Sequence, residues 1–591
     1  MPDWVHNTKK FRMPLAERAH ELSQSLGPGG RALFLLLSAL IIASAGGLLL
    51  ILNDSLMVPA PARGGAFSEG VVGSPRFINP LLAITDADND VTSLVYSGLL
   101  KATPQGDFLP DMAAHFEVSG DGRIYTVSIR QSAVFQDGTP VTADDVIYTV
   151  GKAQDPALKS PQRANWDGVT AEKTDEHTVR FTLRTAYAPF VENLTLGILP
   201  KHLWQDVSNE EFPFSELNTM PIGSGPFTVK RVDRSASGIP TAYMLSSFNR
   251  YALGEPYLGS ITLHFYQNED DLISALKSGA VEAGSGVSPE ALSRLKGFNV
   301  ISAPLDRVFG VFFNQNQAAV LRDTAVRKAL NDSVDRADLV ASVLSGYGAP
   351  VSGPIPPTIS GETVTLGASS TAAYALALAA RTKLMAAGWK EGPDGFLEKK
   401  SGSGKNASTA TLAFTLATGN VPELRAAAEY LKKQWAKVGA NVTVQIFDQG
   451  DLSENVIRPR KYDALLFGEV VGRGLDLFAF WDSSQRNDPG LNIALYANPA
   501  ADAILAKLRT ASSDRVRQDL YAQFAAQLSK DVPAVFLYAP DFVYVFPKNI
   551  EGLQLGFVSV PSDRFLSAPG WYRHIDRVWP FFAPGASQNS Q

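Results

Sequence analysis

Twenty-one consecutive residues without an ionisable side chain, Ala32 to Leu52, divide this chain before any folding begins. As a helix rising ~1.5 Å per residue the run would be about 31 Å long, enough to cross a bilayer's hydrocarbon core. It exceeds the roughly 7–15 apolar residues of a secretory signal. Lys9, Lys10, Arg12, Arg18 and Arg31 precede it against Asp3, Glu17 and Glu21, and the flank after it has few basic residues. The positive-inside bias therefore places residues 1–30 in the cytoplasm as a tail and the bulk of the chain outside. Ala60-Pro61-Ala62 offers a weak cleavage pattern, so a removed signal is the alternative. An uncleaved anchor over residues 31–52 is the favoured reading. Residues 53–66, with Pro59, Pro61, Gly64 and Gly65, read as a linker of at most ~50 Å when extended.

Beyond the linker, a chain of 591 residues leaves a stretch too long for a single core. A 45% apolar and 19% charged composition is that of an ordinary globular protein. The net charge of −6 argues against nucleic acid as the partner, because phosphate binding needs a basic face. There is no cysteine, which removes disulfides, thiol nucleophiles and thiolate metal sites. The seven histidines are dispersed and none forms H-E-x-x-H, so no zinc site is expected. Asp86, Asp88 and Asp90 begin like a calcium loop, but Val91 stands where glycine is required and Ser97 where glutamate should chelate. Ser274 and Lys277 match S-x-x-K without the accompanying motifs, and Gly284-Ser285-Gly286 does not open into a phosphate loop. No metal, cofactor or catalytic set is expected.

Local periodicity indicates mixed α/β structure. Tyr125, Val127 and Ile129 alternate with polar residues after an Asp121-Gly122 turn, and Val179, Phe181 and Leu183 alternate in the same way. Thr142 with Asp145 three residues on predicts a helix start after the Asp137-Gly138 turn. Leu424, Ala428, Leu431, Trp435 and Val438 form one helical stripe stopped by Gly439. Val442, Val444 and Ile446 then alternate as a strand.

Several short motifs occur in order between Val91 and Val150. They are Tyr96-Ser97-Gly98-Leu99, Pro110-Asp111-Met112-Ala113, Val118-Ser119 with Asp121-Gly122, and the run from Asp137-Gly138-Thr139-Pro140 to Asp144-Asp145-Val146. The series resembles the signature region of the family 5, dipeptide/oligopeptide-type extracytoplasmic solute-binding proteins of bacterial ABC importers. The run FSEGVVGSPRFINPLLA resembles the family's opening strand and its Asn79-Pro80-Leu81 turn. Leu199-Pro200-Lys201-His202 resembles the end of its small domain, and Ile222-Gly223-Ser224-Gly225-Pro226-Phe227 its return to the first lobe. RDTAVRKALNDSVDRADLV resembles the first helix of the second lobe, with Val326, Ala329, Leu330 and Val334 on one face.

The resemblance covers roughly residues 67 to 580. It implies a type II periplasmic-binding-protein-like α/β fold of two lobes plus an extra small domain, preceded here by one transmembrane helix. Lobe I is expected at 67–90, 215–305 and 533–591, the small domain at 91–214 and lobe II at 306–532. The implied protein is no enzyme but a monomeric, membrane-anchored binding subunit that takes peptides between its lobes. It would deliver them to ABC permease and ATPase subunits. A non-transporting surface receptor, or a binder of a non-peptide solute, is the alternative. Many relatives are tethered through a lipid-modified cysteine; this chain has none, which leaves the helix as tether.

The same resemblance supplies the ligand-binding candidates: Phe77 and Asn79 near the opening strand, and Phe313 and Asn314 at the crossing into the second lobe. Peptide-binding relatives carry an aspartate for the ligand ammonium shortly after a Gly-Trp pair. Here Glu469 stands in the tryptophan's place, and Val471 or Gly472 in the aspartate's. A buried ammonium still needs a carboxylate, so Glu469 is the first candidate and Asp476 the second. Arg473 could meet a ligand carboxylate through its forked guanidinium. Trp481 is a candidate for the cleft wall against the alternative of core packing.

Overall fold

The computed structural model describes residues 24–357, 370–401, 408–511 and 513–582. The chain divides into two units, residues 1–62 with 574–591, and residues 63–573.

In the first unit the helix Pro28–Leu56 outlasts the uncharged run at both ends, and none of its residues is buried. Proline suits its first turn, where no backbone N–H is required. The segment expected as a linker is largely ordered: after the helix, strand Val58–Ala62 pairs antiparallel with His574–Val578. Successive N–H groups of a strand point to opposite sides, so Pro59 and Pro61 blunt one edge and leave the other free to pair. Arg577 fastens this ribbon to the helix end. It reaches the Asp54 carboxylate at 2.8 Å and the carbonyls of Asp54 and Met57 at 2.6 and 3.2 Å. A cation there complements the negative end of the helix dipole.

In the second unit two sheets share one strand, Ala534–Val545. Its first half lies antiparallel to Arg307–Phe313, and its second half antiparallel to Val300–Pro304. The chain crosses between lobes at residues 305–306 and again within the shared strand. Two neighbouring extended crossings make a hinge, because a few backbone torsions can absorb a lobe rotation. The lobe edge expected at 532/533 lies just ahead of this strand, which serves both lobes.

From the shared strand the first sheet continues through Ala283–Ser285, Ala66–Val72, Ser260–Tyr266, Pro240–Ser247 and Phe227–Arg234. The second continues through Arg307–Phe313, Ala464–Val470, Ala413–Gly419 and Asn441–Phe447. The last is an edge strand, so Val442 is buried while Ile446 is 47% exposed. Leu424, Ala428, Leu431, Trp435 and Val438 all bury on helix Pro422–Val438, which ends at left-handed Gly439. The single helix expected from residue 322 onward is two, Thr324–Asp332 and Arg336–Val343. Asp335 caps the second by accepting from the Asp338 N–H, offering the backbone a fresh start that breaks the periodic run.

The small domain is a four-stranded antiparallel sheet of Ala113–Val118, Ile124–Ile129, Thr178–Leu183 and Val169–Asp175, in that order. Its core is continuous with that of the first lobe. Asp145 accepts from the Thr142 N–H and hydroxyl, both at 2.9 Å, ahead of helix Ala143–Gln154. In the glycine-rich return, a Cβ at Gly223 would lie 2.1 Å from the Val95 carbonyl oxygen, so only glycine allows the approach.

Asp86, Asp88 and Asp90 stand on a helix, Asp86–Val95, rather than in a calcium loop. Asp88 accepts from the backbone N–H groups of Arg76, Phe77 and Thr85. Asp90 takes two 2.7 Å bonds from Arg564, whose Nε donates to Glu69 at 2.8 Å. Tyr544 donates to the other Glu69 oxygen at 2.7 Å. All four side chains are buried. The cluster ties the opening strand, this helix, the shared strand and the C-terminal return together.

Candidate functional site

A cavity of ≈ 1040 Å³ lies between the lobes of the second unit. The loop after strand Ala464–Val470 and Arg509, at the end of helix Pro499–Thr510, form its second-lobe wall. Opposite stand helix Asp86–Val95, the small-domain stretch 183–197 and the return at 559–569.

The loop bends sharply because Gly472 takes a φ of +63° and Leu475 one of +43°. That bend carries Arg473 across to the first lobe, where its side chain is only 4% exposed. It bonds the Asp563 carboxylate at 2.8 Å and the carbonyls of Phe557 and Thr103 at 2.8 and 3.2 Å. From the small domain, Glu192 accepts from the backbone N–H groups of Gly474 at 2.8 Å and Arg473 at 3.3 Å. Burial pushes the Glu192 carboxyl up, against the pull of those two donors. The Ala188 N–H donates to the Arg509 carbonyl at 3.0 Å. These contacts bridge the second lobe to the first lobe and its small domain.

Deeper in the wall, the Arg509 guanidinium lies 4.7 Å from the Tyr187 ring centre and 4.5 Å from that of Phe478. Its Nε is 3.4 Å from Asp476, inside ion-pair range, yet has no aligned hydrogen bond. The pair is an electrostatic contact between partly exposed groups without an aligned hydrogen bond. Asp111 is a further wall carboxyl, pushed up to about 6 by burial, with Ser97 and Tyr251 bonds opposing the shift.

Of the eight candidates read from sequence, Arg473 and Asp476 stand on the cavity wall and six do not. Phe77 packs against the first-lobe core, with the Arg76 guanidinium 5.6 Å from its ring centre. Asn79 is buried, accepting from the Leu81 N–H and donating to Asn218. Phe313 lies in the second-lobe core, and Asn314 donates to the Arg460 carbonyl beneath it. Trp481 is buried among Phe312, Tyr496, Phe524 and Phe536 in that lobe, which favours core packing over the cleft. Glu469 accepts from Trp481 Nε1 at 3.2 Å and is 3% exposed, whereas its neighbour Val470 is 46% exposed and lines the cavity. Strand alternation therefore turns Glu469 away from this cavity. Arg473 is engaged by Asp563 rather than offered as a free carboxylate fork.

Glu192, Arg509, Tyr187 and Asp563 are among the wall residues that sequence reasoning missed. None sits in a motif; Tyr187 and Glu192 share the small-domain stretch, and Arg509 and Asp563 arrive from two other parts of the chain.

Burial raises the Glu469 carboxyl well above its usual range, opposed only by the Trp481 bond. A raised carboxyl binds its proton more tightly when folded, so its contribution to stability falls as pH rises above the unfolded value. Glu469→Gln should therefore match the parent near pH 5, exceed its melting temperature as pH climbs to about 8, and leave ligand affinity unchanged. Thermal unfolding across that range and calorimetry check this; weakened ligand binding would return Glu469 to the site.

The comparisons with known proteins point the same way as the geometry. A family model for bacterial extracellular solute-binding proteins, family 5 (middle), matches residues 107–488. The oligopeptide-binding protein AppA of Bacillus subtilis (strain 168) is 28% identical over 508 residues, 83% of this chain and 89% of that protein. The structure of Bacillus subtilis AppA with a nonapeptide aligns with a TM-score of 0.66 at 25% identity, over 87% of this chain and 100% of that one. The ABC transporter substrate-binding protein CtaP of Listeria monocytogenes aligns with a TM-score of 0.71 at 24% identity, over 86% and 99%.

Proposed function

This chain belongs to the family 5 bacterial extracellular solute-binding proteins, and from that premise we propose that it is a membrane-anchored subunit delivering short peptides to an ABC permease and its ATPase. It is a solute-binding protein of the type II periplasmic fold and not an enzyme. The observation that carries the reading is a cavity walled by both lobes beside a two-strand hinge, with Arg473 of the second lobe bonded to Asp563 of the first. Its ≈ 1040 Å³ lies just above the roughly 300–1,000 Å³ usual for small-ligand sites, which suits a short peptide. AppA's nonapeptide and the name oligopeptide-binding protein support the same ligand class. For the anchor, the support is that strand Val58–Ala62 is built into the fold directly after the helix. Excision near Arg63 would strip that strand from its partner.

Within the cavity the Asp476–Arg509 pair is the recognition element. Asp476 takes the peptide ammonium, releasing Arg509 between its two aromatic rings to meet a ligand carboxylate or carbonyl. A peptide held through its main chain would be bound without regard to its sequence. Asp476→Asn should weaken a free tripeptide by about 1.5–3 kcal/mol, roughly 10- to 150-fold, and leave its N-acetylated form unaffected. Calorimetry giving the parent equal affinity for free and acetylated peptides would remove the amine contact and favour a non-peptide solute.

A further inference from the structure

We propose that residues 579–582, Trp-Pro-Phe-Phe, form an interfacial foot that seats on the phospholipid headgroup layer where helix Pro28–Leu56 leaves the bilayer. The proposal rests on the anchor reading of that helix. Strand Val58–Ala62 runs away from the helix end, and His574–Val578 runs back toward it, with Val578 opposite Val58. Val58 is two residues beyond Leu56, so the chain after Val578 emerges at the level of the helix exit. Arg577 locks that level through its bonds to Asp54 and Met57.

The residues delivered there are of the kind that headgroup layers retain. Tryptophan and phenylalanine bury apolar rings at the hydrocarbon boundary, and the indole N–H stays among polar groups. The rings of Trp579 and Phe581 lie 6.2 Å apart on a short turn, Pro580–Phe582, and Phe581 is 66% exposed. On a membrane the Trp579–Phe581 pair adds a second, non-spanning contact beside the helix exit.

Because the chain has no cysteine, single labels are clean. The full chain would be reconstituted in phosphatidylcholine–phosphatidylglycerol vesicles as Leu40→Cys, Phe581→Cys or Ile575→Cys, each carrying an environment-sensitive fluorophore. Nitroxide lipids, spin-labelled shallow or deep, report depth by loss of fluorescence. The expected result is deep quenching at position 40, shallow quenching at 581 and none at 575. Quenching at 40 without quenching at 581 overturns the foot and leaves the anchor. Quenching at neither position overturns the anchor reading and the foot with it. Equal quenching at 575 and 581 assigns the signal to the dye's own affinity and overturns the foot.

Discussion

Arg564→Met is expected to lower unfolding free energy by about 3–5 kcal/mol, the usual cost of removing one partner from a buried ion cluster. Arg564, Glu69 and Asp90 are all within 1% of complete burial, so no solvent can take over the lost contacts. The effect carries a pH signature. Burial already pushes Glu69 up to about 7 against the opposing pull of Arg564, and Asp90 is raised for the same reason. A folded carboxyl above its unfolded value binds protons more tightly than the unfolded chain. Its contribution is therefore fully present below about pH 4.5 and declines as pH rises toward about 7. Without the guanidinium both carboxyls rise further, so the deficit of Arg564→Met should shrink on acidification. Denaturant titrations near pH 5 and near pH 8 would test this. A deficit constant across that range would show that the cluster's charge is not what holds the four segments together.

Arg473→Ala should weaken ligand binding by about 2–5 kcal/mol, roughly 30- to several-thousand-fold, without a comparable loss of stability. In the closed arrangement its side chain satisfies one carboxylate and two carbonyls while 4% exposed. Its removal leaves Asp563 with an unpaired charge at the lobe interface. With the lobes apart, water solvates the same groups, so the penalty falls on closure alone. Ligand affinity is the closed-state affinity reduced by the fraction of molecules able to close. Calorimetry measures the loss, and small-angle scattering with ligand present should show a larger radius of gyration than the parent. Unchanged affinity would mean that Arg473 serves the resting fold and not the closing step.

Much of the local structure was legible because it depends on neighbours in sequence. The alternation at Tyr125, Val127 and Ile129 is a strand with those residues buried, and the stripe from Leu424 to Val438 is a buried helix face. Two exceptions came from groups whose effect is also local but whose context is not. Asp335 restarted a helix that its apolar spacing alone would have continued. Pro59 and Pro61 suggested a linker, although a two-stranded ribbon needs only one edge and tolerates both.

The ligand site was far less legible. Alternation in Ala464–Val470 shows that Glu469 and Val470 face opposite ways, but not which way faces the core. Trp481, twelve residues on, decides it by donating to Glu469 within the second lobe. Glu192, Arg509 and Asp563 come from three distant segments, and no spacing along the chain encodes their meeting across the cavity.

Sequence by itself determined the uncharged membrane-length run, the α/β alternation, the absence of thiol chemistry and the motif series of the solute-binding family. Each is written in adjacent residues, where covalent geometry, side-chain periodicity and composition act directly. Only the tertiary structure decided which acids face the cavity, which arginine latches the lobes, and that the C-terminal strand returns to the end of the first helix. Those outcomes depend on burial and on charge pairs whose partners lie hundreds of residues apart, as Arg564 with Glu69 and Arg577 with Asp54. Packing brings such partners together, and desolvation then sets the charge each can carry.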